Sequence, residues 1–311
     1  MYFDGIIGQD FAKKYLINSI KTQKLNSSYL FEGIDGIGKK KTALEFSKIL
    51  LEVENPQNSS DFNDIFPEGQ SVKIEQIRKL ESDIVLKPRG NYKIYIINDA
   101  QKMTHQAQNA LLKTLEEPPS YAVIILISNN KNALLETIVS RCDSIKFSPI
   151  SKNDTIEFLK SKFIDENKSK VLASFASGSL QRALDLAENE EFSEMRRILD
   201  ENLKIIFNKD VVSIMELANN LTKYKNKIYD FLDIMLNYFR DVAFLKEGME
   251  ESMIINVDKI FEIKKYMSLL SYSQISKIIV IIEDTKKNFD SNCNFNLNLQ
   301  VMFLNIYEVI K

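Results

Sequence analysis

Several residue types that carry specialised chemistry are scarce in this chain. Its 311 residues include one histidine, two cysteines, six prolines and no tryptophan. Two cysteines, Cys142 and Cys293, cannot form a disulfide framework and fit a reducing compartment. The lone His105 cannot build a metal site and reads as a solvated residue on a helix. No apolar run nears the ~20 residues of a membrane span. The longest, Val123–Ile127 and Ile278–Ile282, are the size of a strand or part of a helix. The opening Met1-Tyr2-Phe3-Asp4 lacks the basic-then-apolar order of a signal peptide. A net charge of −2 and a pI near 5.8 argue against gripping nucleic acid with the whole surface. The expectation is a cytoplasmic protein of about two or three domains with no membrane segment.

Glycine is also sparse, at nine residues, yet three fall together in Gly33-Ile34-Asp35-Gly36-Ile37-Gly38-Lys39-Lys40. The pattern G-x-x-x-x-G-K-[ST] lets backbone N–H groups and a lysine cradle phosphates, while the Ser/Thr hydroxyl binds Mg²⁺. Gly33, Gly36, Gly38 and Lys39 are the expected phosphate contacts. Lys40 occupies the hydroxyl position and cannot ligate a metal. An ammonium ~4 Å from one positive charge costs ~4 kcal/mol at an effective dielectric of 20, and Mg²⁺ carries two charges. Thr42 cannot stand in, since two residues along a helix turn it about 200° away.

A second motif, Lys93-Ile94-Tyr95-Ile96-Ile97-Asn98-Asp99-Ala100, has the form of four apolar residues followed by two acids, the Walker B strand. There the first acid supports Mg²⁺ and the second, usually Glu, polarises water. Asn98 brings no charge. Asp99 is one methylene short, an error of ~1 Å that can reduce the rate ~100-fold. Hydrolysis at this pocket is therefore expected to be negligible.

Strand and helix signals alternate over the first 150 or so residues. Strands are read at Tyr29–Phe31, Ile94–Ile97, Val123–Ser128 and Ile145–Phe147. Helices are read from about Lys39, over Ile74–Val85 and over Gln101–Glu117, the last stopped by Pro118-Pro119. Continuous apolar strands between helices predict a parallel sheet covered on both faces, an α/β nucleotide fold. Beyond Ser148-Pro149 the pattern is helical. Thr155–Phe163, Lys170–Phe175 and Leu180–Glu188 suggest a small module. Ile228, Phe231, Leu232, Met235, Leu236 and Phe239 form one apolar stripe, serving as core or subunit interface. Ile275–Ile282 and Leu297–Ile310 give two further helices. The expected domains are 1–148 (nucleotide fold), 149–202 (helical lid) and 203–311 (all-α C-terminal domain).

The strings Ile7-Gly8-Gln9, GIDGIGKK, IYIINDAQKMT, Asn109–Pro119 (NALLKTLEEPP) and Ser140-Arg141-Cys142 occur in that order across most of residues 5–147. Together they resemble the clamp-loader branch of the AAA+ ATPases. The run Asn292–Leu297 before a last helix also looks like the end of that branch's collar domain. The resemblance implies a subunit of a hetero-oligomeric ring that places a sliding clamp on primer–template DNA, assembled through a C-terminal collar. It implies that Arg141 is an arginine finger inserted into the ATP site of a neighbouring motor subunit. Such a finger can be worth 10³–10⁵ in rate by neutralising charge on the transferred phosphoryl group. Asn129 falls near the sensor 1 position. Two departures stand out. Leu51–Gln70 contains no cysteine, which excludes the Cys-based zinc module often found there. After Gly178-Ser179-Leu180, Gln181 takes the place of the lid arginine called sensor 2, with Arg182 one residue on. Degenerate Walker elements beside an intact finger point to a member that lends the finger without hydrolysing ATP. It would need no cofactor of its own, and binding of ATP or ADP without turnover stays open. The alternative is a catalytic loader subunit. A sequence-specific DNA binder has no supporting motif. Cys142 reads as a small packing residue.

Overall fold

The computed structural model describes residues 2–208, 211–291 and 293–311. Asn292, the first residue of the expected collar motif, lies outside them. The described residues divide into two compact units, one running to Phe158 and including Ala176–Ala183, the other comprising Leu159–Phe175 and Leu184–Lys311.

The first unit is built on a five-stranded parallel sheet. Its strands are β1 (Ser28–Glu32), β2 (Phe62–Ile65), β3 (Lys93–Ile97), β4 (Ala122–Ser128) and β5 (Asp143–Lys146), in spatial order β2-β3-β4-β1-β5. Helices α1 (Asp10–Lys21), α2 (Lys39–Leu51), α3 (Ile74–Ile84), α4 (His105–Glu116) and α5 (Glu136–Val139) accompany it. Successive strand side chains point to opposite faces, so Tyr29, Phe31, Ile94, Ile96 and Ile125 build one core with α1 and α2. Leu30, Tyr95, Ile97, Ile124 and Leu126 build another with α3 and α4. Both faces are covered, which is why β3 and β4 could be read as unbroken apolar runs.

Two sequence expectations change in detail. The stretch read as one helix over Gln101–Glu117 is a 3₁₀ turn at Ala100–Lys102 followed by α4. Thr104 is the reason, because its side chain accepts the Ala107 N–H and so starts a new helix there. An unforeseen strand, β2, forms the sheet edge and, among the described residues, pairs with β3 alone.

After β5 come α6 (Lys152–Ser161), α7 (Glu166–Phe175) and α8 (Leu180–Glu188). The second unit is completed by α9 (Glu190–Phe207), α10 (Val211–Asn220), α11 (Ile228–Lys246), α12 (Ile260–Leu269), α13 (Tyr272–Asp290) and α14 (Phe295–Ile310). The α11 stripe is core, with Ile228, Phe231, Leu232, Met235 and Phe239 all buried, packed chiefly against α13. This core holds a wholly buried carboxylate, Asp241, which accepts hydrogen bonds from the Ile255 and Asn256 N–H groups and the Asn256 side chain. Among the described residues no helix is long and apolar enough to cross a membrane.

Candidate functional site

The phosphate loop joins β1 to α2, as its spacing predicts. Gly33 and Gly36 are required there. Gly33 has φ 148° and a Cβ would lie 2.6 Å from the Phe147 carbonyl oxygen. Gly36 has φ 75° and a Cβ would lie 2.2 Å from Ser179 Oγ and 2.7 Å from Gln181 Cβ. The start of α8 thus packs onto the loop, and Gln181 N–H donates to the Gly36 carbonyl at 3.3 Å. Gln9 fastens the other side. Its amide donates to the carbonyls of Ile37 (3.1 Å) and Ser148 (2.7 Å) and accepts from the Ser148 N–H (3.0 Å).

Lys39 is 5 % exposed and spends its charge inside the loop. Its ammonium donates to the Gly33 carbonyl, to the Ile34 carbonyl at 2.7 Å and to Asp35 Oδ1 at 3.4 Å. Burial holds its pKa below the usual lysine value, partly offset by Asp35. Asn129, beyond β4, donates to Asp35 Oδ2 at 2.6 Å, and Lys131 pairs with Glu32 at 3.1 Å. The segment following β4 is therefore clipped to the phosphate loop at Asp35 and to the end of β1 at Glu32.

Two of the positions expected to manage metal and water, Lys40 and Asn98, converge on Asp64. Lys40 reaches Asp64, on β2, at 3.0 Å and lies 3.7 Å from the centroid of the Phe66 ring. The buried Asn98 amide donates to the other Asp64 oxygen and, at 3.0 Å, to the Ile65 carbonyl. Thr42 is fully buried and its hydroxyl donates to the Gly38 carbonyl at 2.9 Å. Asp99 pairs with Lys102 at 2.9 Å. An ammonium, a neutral amide and a carboxylate already bonded to both make a poor donor set for Mg²⁺, which prefers several oxygen ligands in octahedral array. Asp64 and Asp99 are the carboxylates at these positions, and each is engaged by a lysine. Asp64 was not legible as part of this cluster, because nothing in its sequence neighbourhood marks β2.

Arg141 follows α5 at the surface. Its guanidinium donates to the Thr137 carbonyl at 3.0 Å and pairs with Glu116 at 2.7 Å, with side chains 35 % and 51 % exposed. Glu116 ends α4, inside the quoted LLKTLEEPP run. Neighbouring Cys142 is half-buried against the core that holds α3 and α4, and burial, with Asp143 adding to it, pushes its thiol up to about 12. Ser179 Oγ accepts the Arg182 N–H at the start of α8.

The family model described as DNA polymerase III, delta subunit matches residues 8–151, and the one described as DNA polymerase III, delta subunit, C terminal matches residues 190–307. DNA polymerase III subunit delta' of Bacillus subtilis (strain 168) is 27 % identical, covering 95 % of this chain and 95 % of its own length. DNA polymerase III subunit gamma of Buchnera aphidicola subsp. Schizaphis graminum (strain Sg) is 26 % identical, covering 99 % of this chain and 96 % of its own. Among solved structures, a DNA polymerase III gamma subunit-related protein from Thermotoga maritima aligns over 95 % of this chain and 99 % of its own. Its TM-score is 0.48 at 19 % identity, which adds nothing to the topology already described.

Proposed function

The chain belongs to the clamp-loader family of DNA polymerase III, and we propose on that premise that it is the non-hydrolysing, delta-prime type of subunit. In this reading it supports loading of the sliding clamp onto primer–template DNA within the polymerase III holoenzyme. Arg141 is its contribution to chemistry, a finger extended into the ATP site of a neighbouring gamma/tau motor subunit. The delta subunit completes the set of partners, residues 149–202 act as the lid, and residues 203–311 form the collar that joins the ring. No zinc, and no nucleotide cofactor of its own, is needed.

The observation that carries this reading is the contrast in cation placement. Lys40 is tied to Asp64, where catalysis would need a metal ligand, while Arg141 is exposed and held by an exposed partner. A surface ion pair contributes only ~0–1 kcal/mol, so an incoming triphosphate can displace Glu116 at little cost. The alternative, a catalytic subunit of the gamma/tau or replication factor C kind, draws on the glycine geometry of the loop and on the gamma relative.

An ATPase assay decides between them. The purified chain should show no turnover. A loader reconstituted with Arg141→Ala should hydrolyse ATP more slowly than one with the unaltered subunit. Turnover by the isolated chain would favour the catalytic reading.

A further inference from the structure

The phosphate loop carries an acid of its own. Asp35 lies between Gly33 and Gly36, within a turn whose spacing gathers backbone N–H groups and a lysine around an anion. Its two carboxylate oxygens are divided between the loop lysine and an amide from the segment beyond β4. Oδ1 faces the Lys39 ammonium at 3.4 Å and Oδ2 accepts from the Asn129 amide at 2.6 Å. Lys39 has three hydrogens to donate and three oxygens receiving them. Two of those are main-chain carbonyls, which move only if the loop does. The third belongs to a side chain 68 % exposed, the one partner that can leave without rebuilding the backbone. A second acid, Glu32, flanks the loop and is answered by Lys131, so the segment 129–131 is engaged by the protein's own carboxylates at both points.

We propose that Asp35 is the specificity-determining residue of this loop: its carboxylate stands in for a terminal phosphate between Lys39 and Asn129 and so keeps nucleoside triphosphates out. The inference rests on the reading of this subunit as non-hydrolysing and supplies a cause for it that precedes metal chemistry. A phosphate entering the loop must displace Asp35 and then share Lys39 with a charge of its own sign. Replacing the acid by its amide keeps the size of the side chain and removes the competing charge.

The test is equilibrium binding of ATP and of ADP to the purified full chain by titration calorimetry, at low salt, with melting temperatures recorded in parallel. Asp35→Asn should bind ATP about tenfold or more tightly than the unaltered chain, one charged contact's worth of affinity. ADP, which lacks the terminal group, should gain less. The gain should vanish when Lys39→Ala is added. If Asp35→Asn melts early, Asp35→Ser, which also removes the carboxylate and leaves Lys39 and Asn129 in place, should still raise ATP affinity over the unaltered chain. Unchanged ATP affinity in folded Asp35→Asn overturns the proposal and leaves the non-hydrolysing reading intact. Tight binding accompanied by turnover supports the role of Asp35 and overturns that reading instead.

Discussion

Lys39 and Arg141 are cations of the same compact unit, and they are held in opposite ways. Lys39 is 5 % exposed and wrapped by two main-chain carbonyls and Asp35, with Lys40 beside it committed to Asp64 and the Phe66 ring. Arg141 is 35 % exposed and rests on one carbonyl and one exposed carboxylate. Breaking a buried, fully bonded charge from its partners is strongly unfavourable, whereas a surface pair exchanges partners at almost no cost. Positive charge at the phosphate loop is therefore neutralised largely from within, whereas positive charge at the Ser140-Arg141-Cys142 corner is held only by surface groups.

The largest effect expected at either end of this comparison is functional. In the reconstituted loader, Arg141→Ala should lower ATP turnover at the neighbouring site by about 10³-fold. The melting temperature of the isolated chain should stay within about 1 °C, since an exposed pair contributes little. Loss of stability without loss of rate would reverse the assignment of the two cations.

Gly36→Ala should do the opposite. Left-handed backbone disfavours a Cβ by ~1–2 kcal/mol, and the clash with Ser179 and Gln181 adds to that. A melting temperature lowered by about 5 °C or more is expected, with turnover in the complex falling only as far as folded subunit is lost.

Asp64→Ala comes next. It leaves Lys40 and the buried Asn98 amide without their shared partner, a loss of about 1–3 kcal/mol in chemical denaturation. Equal stability to the unaltered chain would mean that the cluster does not hold the loop region together.

Thiol labelling gives a pH-dependent check of the Arg141 corner. With its thiol pushed up to about 12, Cys142 carries about 1 % thiolate at pH 10, so exposed Cys293 should be consumed first. The raised value also has a stability sign. The folded state favours the neutral thiol, a contribution complete below pH about 9 and lost as pH rises towards about 12. Fast labelling of Cys142 at neutral pH would mean that the corner opens. The smallest effect belongs to Glu116→Gln, which should change stability by less than about 1 kcal/mol.

How much of this was legible depends on burial. β1, β3 and β4 could be read because both of their faces meet helices, which forces apolar residues at every position. β2 could not. Its sequence Phe-Asn-Asp-Ile has the polar content of a loop, and an edge strand with one neighbour does not need a continuous apolar run. That omission hid Asp64. Sequence shows that Lys40 cannot ligate a metal; the partner its ammonium finds instead lies on a strand that pairing alone creates. Helix α1 escaped for a related reason, since its buried stripe of Ala12, Leu16 and Ser19 is thin. The Glu116 contact to Arg141 joins the end of α4 to the turn after α5, and no spacing rule connects them. Asp35 was visible as a letter within the motif, but its bond to Asn129 depends on the ends of β1 and β4 lying side by side.

That same adjacency has a bearing on biosynthesis. Ser28 pairs with Ile124, and Tyr29 with both Ile125 and Asp143, so the first strand to leave the ribosome has no neighbour until most of the unit has been translated. Tyr29-Leu30-Phe31, wholly buried at the end, spends that interval exposed in the nascent chain, where distant pairing is slow and unpaired apolar strands invite self-association. Fragments truncated before β4 should therefore be the insoluble ones, and this early stretch is where a chaperone would be needed.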